Sequence, residues 1–203
     1  MHIRELSIPD SYEITPVQRA DDRGVFLEWY RFDKLEGAAG HPLNLRQANT
    51  SVSKKGVVRG IHFADIPPGQ AKYVTVTHGA VIDYVIDIRV GSPAFGQWDS
   101  VRLDTVDRKA IYLGEGLGHA FVALTDDATV SYLITDTYSA AAEHGINPLD
   151  PEIGLVFPAE AGEPLLSPKD VEAPSLAEAR HVGILPTWEA ARAFYQQLNQ
   201  GGV

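Results

Sequence analysis

Residues 57–73 read Val-Val-Arg-Gly-Ile-His-Phe-Ala-Asp-Ile-Pro-Pro-Gly-Gln-Ala-Lys-Tyr. Two stretches of apolar, largely β-branched residues flank a Pro-Pro-Gly turn, a pattern typical of two short β-strands. Because side chains alternate between the two faces of a strand, we expect Arg59 and His62 on opposite faces of the first strand. Lys72 opens the second strand. Its ammonium group and the imidazole of His62 are predicted to face one cavity from adjacent strands, as a catalytic pair.

A structural interpretation of this pair stands beside the functional one. A single histidine in a strand is often half-buried and hydrogen-bonded, and a single lysine often extends its charged end to solvent along an apolar surface. The choice between the two interpretations therefore depends on the rest of the chain.

Composition limits the function classes. The 203 residues carry a net charge of −10, include no cysteine and contain no long apolar run. These features exclude disulfides, thiolate catalysis and a membrane-spanning helix, and we expect a soluble, cytoplasmic protein with no membrane partner. No Lys/Arg run provides a footprint for nucleic acid. An anionic small molecule remains an acceptable ligand, because screening limits the surface field to about 8 Å and a few local cations can bind it.

The remaining chain predicts many short strands with frequent turn signals, and helices only near its end. Capping residues Ser175 and Thr187 each precede a helical pattern, and the second helix has an apolar face that includes Trp188 and Tyr195. We therefore predict an all-β fold, a double-sheet jelly roll (cupin-like β-barrel) with short C-terminal helices. It forms one domain over residues 1–203, with the jelly roll at about 10–147 and the C-terminal loop and helices at about 148–203. Strands are predicted at 12–19, 25–30, 43–52, 57–63, 73–77, 80–88, 98–103, 110–113, 120–124 and 129–137.

Two pairs of these strands are predicted to form hairpins. The strands 73–77 and 80–88 are separated by His78-Gly79, and glycine suits the tight turns of hairpins. The strands 120–124 and 129–137 are separated by residues 125–128. In the second pair Tyr132 falls in mid-strand, where it is either an acid or a core residue.

Other polar motifs are less informative on their own. The segment Gly114-Glu115-Gly116-Leu117-Gly118 lacks the glycine spacing and the following helix of a dinucleotide loop. Asp87 lies in an apolar strand and is predicted to be structural, whereas the role of Asp83 stays open. His62 is not followed by a second histidine in a His-x-His pair, and a set with His119 and one carboxylate is sparse for a metal. No metal site is predicted.

Taken together, nine ordered motifs spread over nearly the whole chain resemble those of the dTDP-4-dehydrorhamnose 3,5-epimerases, also called dTDP-4-keto-6-deoxy-sugar epimerases. The resemblance implies a cupin-like jelly roll, a homodimer, and a dTDP-4-keto-6-deoxy sugar as substrate. The motifs are Asp22-Arg23-Gly24-Val25-Phe26, Gln47-Ala48-Asn49, residues 56–63, Gln70-Ala71-Lys72-Tyr73-Val74, Asp87-Ile88-Arg89, residues 92–96, residues 116–121, Tyr132-Leu133 and Leu166-Ser167-Pro168-Lys169-Asp170.

The resemblance also implies a catalytic role for four residues. His62 is the base that removes a proton next to the C4 ketone, and Asp170 holds its imidazole in one tautomer. Lys72 neutralises the enolate oxygen, and Tyr132 returns a proton on the opposite face, which inverts the carbon. Neither a metal ion nor a cofactor is implied.

The implied substrate-binding residues are polar or aromatic and spread along the chain. Five other histidines (His2, His41, His78, His144 and His181) are predicted to be surface or structural residues. The predicted binding residues are Arg23, Phe26, Glu28, Gln47, Asn49, Arg59, His119, Tyr138 and Glu143.

Three alternatives remain open at this point. Relatives from antibiotic-sugar pathways invert only C3 or only C5, and the chain differs from the commonest family pattern where Ala120 follows His119. A dTDP-4-keto sugar 3,4-ketoisomerase has a similar fold and also moves protons with histidine. A non-catalytic sugar-nucleotide-binding module or a metal-dependent cupin is the third alternative.

Overall fold

The computed structural model describes residues 1–201, which form thirteen short β-strands and four α-helices. The helices are α1 (Phe32–Ala39), α2 (Pro168–Val171), α3 (Leu176–His181) and α4 (Trp188–Asn199), with a single 3-10 turn at Ala159–Ala161. The strands are β1 (His2–Glu5), β2 (Ser11–Thr15), β3 (Gln18–Asp21), β4 (Gly24–Leu27), β5 (Gln47–Ser53), β6 (Val58–Ala64), β7 (Lys72–His78), β8 (Ala80–Ile86), β9 (Trp98–Asp104), β10 (Ala110–Leu113), β11 (Gly118–Ala123), β12 (Ala128–Ile134) and β13 (Glu143–Gly145).

Two antiparallel sheets form the body of the protein. One has six strands in the order β1-β2-β10-β7-β12-β5, and the other has five in the order β13-β6-β11-β8-β9. Apolar residues from the inner faces of both sheets pack in one core cluster, for example Val74 and Val130 from the first sheet and Val85 and Phe121 from the second. The predicted all-β, double-sheet jelly roll is confirmed.

A β-bulge in β6 changes which side chains point inward. His62 pairs with His119 on β11, and Arg59 pairs with Phe121. Between these two pairs β6 therefore contains one more residue than β11. Gly60 lies at this point with φ of +127°, and a Cβ there would lie 2.5 Å from the carbonyl oxygen of His119. The bulge shifts the alternation, so Arg59 and His62 line the same cleft. The prediction that they lie on opposite faces is wrong.

The two predicted hairpins are wrong as well. β7 belongs to the six-stranded sheet and β8 to the five-stranded sheet, and the same holds for β12 and β11. The turns therefore carry the chain from one sheet to the other. The two turns also meet, because the backbone N–H of Ala80 donates to the hydroxyl of Thr125 at 3.1 Å. Turn residues alone do not distinguish a hairpin from such a crossing, since both need a tight reversal.

Other elements also differ from the sequence prediction. Residues 12–19 are not one edge strand: β2 pairs with both β1 and β10, and β3 pairs with β4 in a separate two-stranded ribbon. Helix α1 was not predicted. Arg31 precedes it without a side-chain capping bond, and Leu35 is its only fully buried residue, so its sequence signal is weak.

The C-terminal segment covers the outer face of the five-stranded sheet. A second cluster of buried apolar residues lies on this outer face. It contains Leu176 and Ala179 of α3 together with strand residues such as Ile61 and Tyr84. The predicted cap is confirmed, because Ser175 and Glu178 form a capping box at the start of α3. No helix among residues 1–201 has both the length and the apolar character needed to cross a membrane.

A buried ion-pair network attaches α4 to the barrel. The fully buried Arg89 donates to Asp87 at 2.7 and 2.9 Å and to Asp10 at 2.6 Å. Its guanidinium also lies 4.6 Å from the ring centre of Trp188 on α4. These contacts give Asp87 the structural role that its apolar strand indicates.

Candidate active site

A cleft of about 230 Å³ opens between the inner faces of the two sheets. It lies away from the turns that meet at Ala80 and Thr125, near the starts of β7 and β11 and the end of β12. Eight of the thirteen predicted site residues line it: His62, Lys72, Tyr132, Asn49, Arg59, His119, Tyr138 and Glu143.

His62 is held by a buried carboxylate. Its Nε2 lies 2.8 Å from Oδ1 of Asp170, which is only 5% exposed. Ser167 fixes the other oxygen of Asp170 with a 2.8 Å hydrogen bond, and its hydroxyl also caps α2 by accepting from the Asp170 amide. Although burial raises the pKa of Asp170, the hydrogen bonds from His62 and Ser167 outweigh it and lower the pKa. Asp170 is thus ionised, and His62 keeps its Nδ1 lone pair available as a base.

Lys72 places a cation inside the cleft. The residue is 8% exposed, and no carboxylate among residues 1–201 lies within 4 Å of its ammonium group. Burial lowers the pKa of Lys72, and the charges of Glu143 and Asp83 oppose that effect. An ammonium group with no close counter-ion is suited to neutralise an oxygen anion that forms on a bound substrate.

Tyr132 faces His62 from the opposite sheet. Tyr132 pairs with Val74 on β7 and Lys72 pairs with Ile134 on β12, so Tyr132 and Lys72 are diagonal neighbours on one face. Burial raises the pKa of Tyr132, so its hydroxyl keeps its proton at neutral pH. The expectation that His62 and Lys72 face one cavity is met, but from facing sheets and not from adjacent strands.

His119 forms a second histidine–aspartate pair. Its Nε2 lies 2.9 and 3.0 Å from the two oxygens of Asp83, which is fully buried. Burial raises the pKa of Asp83, while His119 and Lys72 lower it. The role that the sequence left open for Asp83 is to hold the ring of His119 at the cleft wall.

Polar side chains form the rim of the cleft. Gln47 donates to Asn49 at 2.7 Å and accepts from the amide of Tyr138 at 3.0 Å, although Gln47 itself does not line the cleft. Arg59 donates to Ser53 at 3.1 Å. Tyr138 is 59% exposed, which leaves its ring free to stack on a planar ligand.

Three further residues at the site were not predicted individually. Gln70 donates to Glu143 at 3.1 Å, Ser167 holds Asp170, and Lys169 lines an outer groove of about 420 Å³ that shares Arg59 and His62 with the cleft. All three lie within motifs that carried the family resemblance. Their position in the sequence close to Lys72 or Asp170 is the feature that could have indicated them.

Besides Gln47, three predicted binding residues do not line the cleft of their own chain. Arg23 and Phe26 lie at the β3–β4 ribbon, with the Arg23 side chain 89% exposed and Phe26 66% exposed. Arg23 pairs with Asp21, and Glu28 pairs with Arg31. Within residues 1–201, the structure brings none of the three to His62.

The described residues show no ready metal site. Within residues 1–201, no three or more His, Asp or Glu side chains are grouped in an arrangement that could hold a metal ion. His62 and His119 each use Nε2 on an aspartate, which leaves one nitrogen apiece.

Comparison with known proteins places this cleft in a family. The family model described as dTDP-4-dehydrorhamnose 3,5-epimerase matches residues 5–178. The chain is 58% identical to a dTDP-4-dehydrorhamnose 3-epimerase of Streptomyces niveus, over 95% of this chain and 92% of that protein. It is 54% identical to a dTDP-4-dehydrorhamnose 3,5-epimerase of Mycolicibacterium smegmatis, over 98% of each.

A solved structure agrees with these matches. The RmlC epimerase of Mycobacterium tuberculosis superposes with a TM-score of 0.95 at 48% identity, covering 98% of this chain and 100% of that one. The family model alone covers well over half of the chain. The chain therefore belongs to the dTDP-4-dehydrorhamnose 3,5-epimerase family, whose members are isomerases that act on sugar nucleotides.

Proposed function

We propose that this protein is a dTDP-4-keto-6-deoxy-hexose 3,5-epimerase that uses His62 and Tyr132 as its proton-transferring residues. The observation that carries the proposal is the placement of these two side chains on opposite sheets across one cleft. Inversion of a carbon requires that a proton leave from one face and return to the other. A base and an acid on facing walls meet that requirement.

In the first step the Nδ1 atom of His62 accepts the proton from the carbon next to the C4 ketone. The electron pair of that C–H bond forms a double bond to C4, and the π pair of the C4 carbonyl moves onto its oxygen, which gives the enolate. Asp170 stabilises the imidazolium that results, since it is buried, ionised and bonded to Nε2.

In the second step Lys72 stabilises the negative C4 oxygen while the hydroxyl of Tyr132 donates a proton to the opposite face of the carbon and the C4 carbonyl re-forms. Proton exchange with solvent then returns the imidazolium of His62 and the tyrosinate of Tyr132 to their starting states. The raised pKa of Tyr132 keeps this proton available. Both C3 and C5 adjoin the C4 carbonyl, so one enolate chemistry serves either carbon. Arg59 and the exposed ring of Tyr138 at the rim are suited to the diphosphate and the thymine.

A 3-epimerase is the second candidate. The 58% identical relative from Streptomyces niveus carries that name, and such an enzyme needs the same base, acid and cation. The two candidates differ only in whether C5 also exchanges its proton.

The test is incubation of the protein with dTDP-4-keto-6-deoxyglucose in D₂O, followed by proton NMR of the sugar. Deuterium at both C3 and C5, with a rhamno-configured product, is the expected result. Deuterium at C3 alone identifies a 3-epimerase. Deuterium at neither carbon contradicts epimerisation and supports a ketoisomerase or a binding module. Metal analysis of the active protein tests the prediction that neither metal nor cofactor is needed.

We also propose a homodimer in which the β3–β4 ribbon of one copy reaches the cleft of the other. All four residues of β3 are exposed, and β4 exposes Val25 and Phe26. The exposed apolar side chains of Val25 and Phe26 would gain by packing against a second copy. This arrangement also gives Arg23, Phe26 and Glu28 the substrate-binding role that the family resemblance implies.

Light scattering and mixed dimers test this arrangement. His62→Ala and Phe26→Ala variants are each purified, shown to be dimeric, unfolded together and refolded as a mixture. Mixed dimers are expected to regain turnover that neither variant shows alone, because one of their two clefts is intact. A monomer at all concentrations, or no gain on mixing, contradicts the arrangement. The cytoplasmic location stays a prediction that cell fractionation would test.

A further inference from the structure

We propose that Glu115 is a positioning residue that acts through Thr135 to fix the ends of the two strands that carry Lys72 and Tyr132. The inference rests on the proposed function for its catalytic consequence. Glu115 belongs to the glycine-rich segment 114–118, to which the proposed mechanism assigns no role.

A chain of two hydrogen bonds connects Glu115 to both strands. The backbone N–H of Ala71 donates to the hydroxyl of Thr135 at 2.9 Å, and that hydroxyl donates to Oε1 of Glu115 at 3.0 Å. Ala71 directly precedes Lys72 on β7, and Thr135 directly follows Ile134 on β12.

The link extends the ladder in which both catalytic side chains lie. Lys72 pairs with Ile134, and beyond that pair the N–H of Thr135 donates to the carbonyl of Ala71 at 3.2 Å. Glu115 therefore holds the last rung of the β7–β12 ladder. A displacement at that rung moves the ammonium group of Lys72 relative to the hydroxyl of Tyr132, and small displacements of catalytic groups reduce rates strongly.

Glu115 is itself held rigidly in place. It is 2% exposed, and the hydroxyl of Tyr195 on α4 donates to its carbonyl oxygen at 3.1 Å. The turn that leads into β7 packs directly on it: Gly69 has φ of +71°, and a Cβ there would lie 2.6 Å from the Cβ of Glu115. Only glycine allows this turn to approach so closely.

One carboxyl oxygen of Glu115 has no hydrogen-bond partner among the described residues. This atom, Oε2, is buried, and the side chain borders a second cavity of about 110 Å³ between α4 and the barrel. A buried acceptor without a hydrogen-bond partner is unusual in folded proteins and costs free energy.

The surroundings of Glu115 make its charge sensitive to pH. Burial, with a smaller contribution from the nearby Asp10, raises its pKa to about 7 against the opposing effect of hydrogen bonds such as that from Thr135. The hydroxyls of Tyr112 and Tyr195 also face it, and Arg46 and Asp136 border the second cavity. An ionised carboxylate accepts the Thr135 hydrogen bond more strongly than a neutral carboxyl does, so the link tightens above about pH 7.

The test compares three variants with the wild-type protein. Thr135→Val removes the hydroxyl that forms the link, Thr135→Ser restores a hydroxyl, and Glu115→Gln keeps an acceptor but does not titrate. Thr135→Val is expected to lower kcat about tenfold with KM changed less than about twofold, while Thr135→Ser stays near the wild type. For Glu115→Gln, the wild-type kcat is divided by the variant kcat at each pH, so that the effects of groups that titrate in both proteins cancel. That ratio is expected to be higher at pH 8 than at pH 6.

An NMR titration provides a readout that does not need turnover. The backbone amide signals of Lys72 and Thr135 are expected to shift with a common midpoint near pH 7 in the wild-type protein and not in Glu115→Gln. If these shifts occur in a wild-type protein that lacks epimerase activity, the proposed function fails and the link stands. If the signals do not titrate, or if Thr135→Val turns over like the wild type, the positioning role is overturned.

Discussion

His62 and His119 lie directly opposite each other on β6 and β11, and each ring is bonded through Nε2 to its own buried aspartate. The two pairs differ in access. The side chain of His62 is 37% exposed and that of His119 only 9%. Of these two rings, His62 is the one that a sugar can approach and still leave room for proton transfer. His119 is fixed in the wall.

Replacement of the His62–Asp170 pair is expected to remove turnover and to spare nucleotide binding. His62→Ala removes the base and is expected to lower kcat by roughly 10²–10⁴-fold, the usual contribution of general base catalysis. Asp170→Asn is expected to lower kcat by at least about 10²-fold, because the imidazolium loses its counter-charge. Rate assays and calorimetric titration with dTDP measure the two effects separately.

His144 offers a matched control. Its Nε2 bonds to Asp65 at 2.8 Å, the same distance as in the catalytic pair, but it lies outside the cleft. His144→Ala is expected to keep wild-type turnover. A loss of dTDP affinity as large as the loss of turnover in the His62 variant would contradict the assignment of His62 as a base.

Replacement of Tyr132 by Phe is expected to separate proton removal from inversion. His62 still removes and returns the proton on its own face, so substrate hydrogen exchanges with D₂O while the configuration is kept. Proton NMR and product trapping measure the two events. Tyr30→Phe is the control, because the buried hydroxyl of Tyr30 has no partner among the described residues. Inversion at a normal rate in Tyr132→Phe would show that another group is the acid.

Replacement of Lys72 by Met is expected to slow the enzyme and to stabilise the fold. Loss of the cation is expected to lower kcat by roughly 10²–10³-fold. Burial of the ammonium group disfavours its charged form, so its removal is expected to raise the Tm by about 2–4 °C. Lys109→Met, which removes a surface pair with Glu13, serves as the control and should leave kcat unchanged. A lower Tm in Lys72→Met would mean that the cation stabilises the fold.

Glu115 is expected to make stability fall as pH rises. Its pKa is about 7 in the folded protein and 4.5 as the ordinary value, so the folded state binds more protons between these values. The contribution of Glu115 to the free energy of unfolding is then largest below about pH 4.5. It declines by about 3 kcal/mol in all as the pH rises to about 7. Urea unfolding at pH 5 and pH 8 is expected to show this decline in the wild type and a smaller one in Glu115→Gln. Equal declines in both proteins would place the pKa of Glu115 near its ordinary value.

The sequence, with the family resemblance that it carries, was sufficient for the fold class and for eight of the residues that line the cleft. Regular short strands and turn signals indicate a sheet protein, and His62, Lys72 and Tyr132 stand in motifs that also resemble a known family. The pairing of Asp170 with His62 came only from that resemblance, because 108 residues separate them in the chain and no local pattern connects them.

The parts that could not be predicted depend on contacts between distant strands. The face on which Arg59 lies is set by a bulge at Gly60, and this bulge exists only relative to the register of β11. Which sheet receives β8 or β12 is likewise decided by packing after the turn and not by the turn residues. The order of the motifs along the sequence does not show that Arg23 and Phe26 lie away from the cleft.

The two turns that carry the chain between the sheets have a mechanical consequence. They meet at Ala80 and Thr125, so a hydrogen bond fastens these two crossings together at the end of the barrel away from the cleft. At the cleft end the chain crosses between the sheets as well, from β6 to β7 and from β10 to β11. His62, Lys72 and Tyr132 therefore lie on strands that the chain joins to the facing sheet at both ends of the barrel, which limits how far the walls of the cleft can separate.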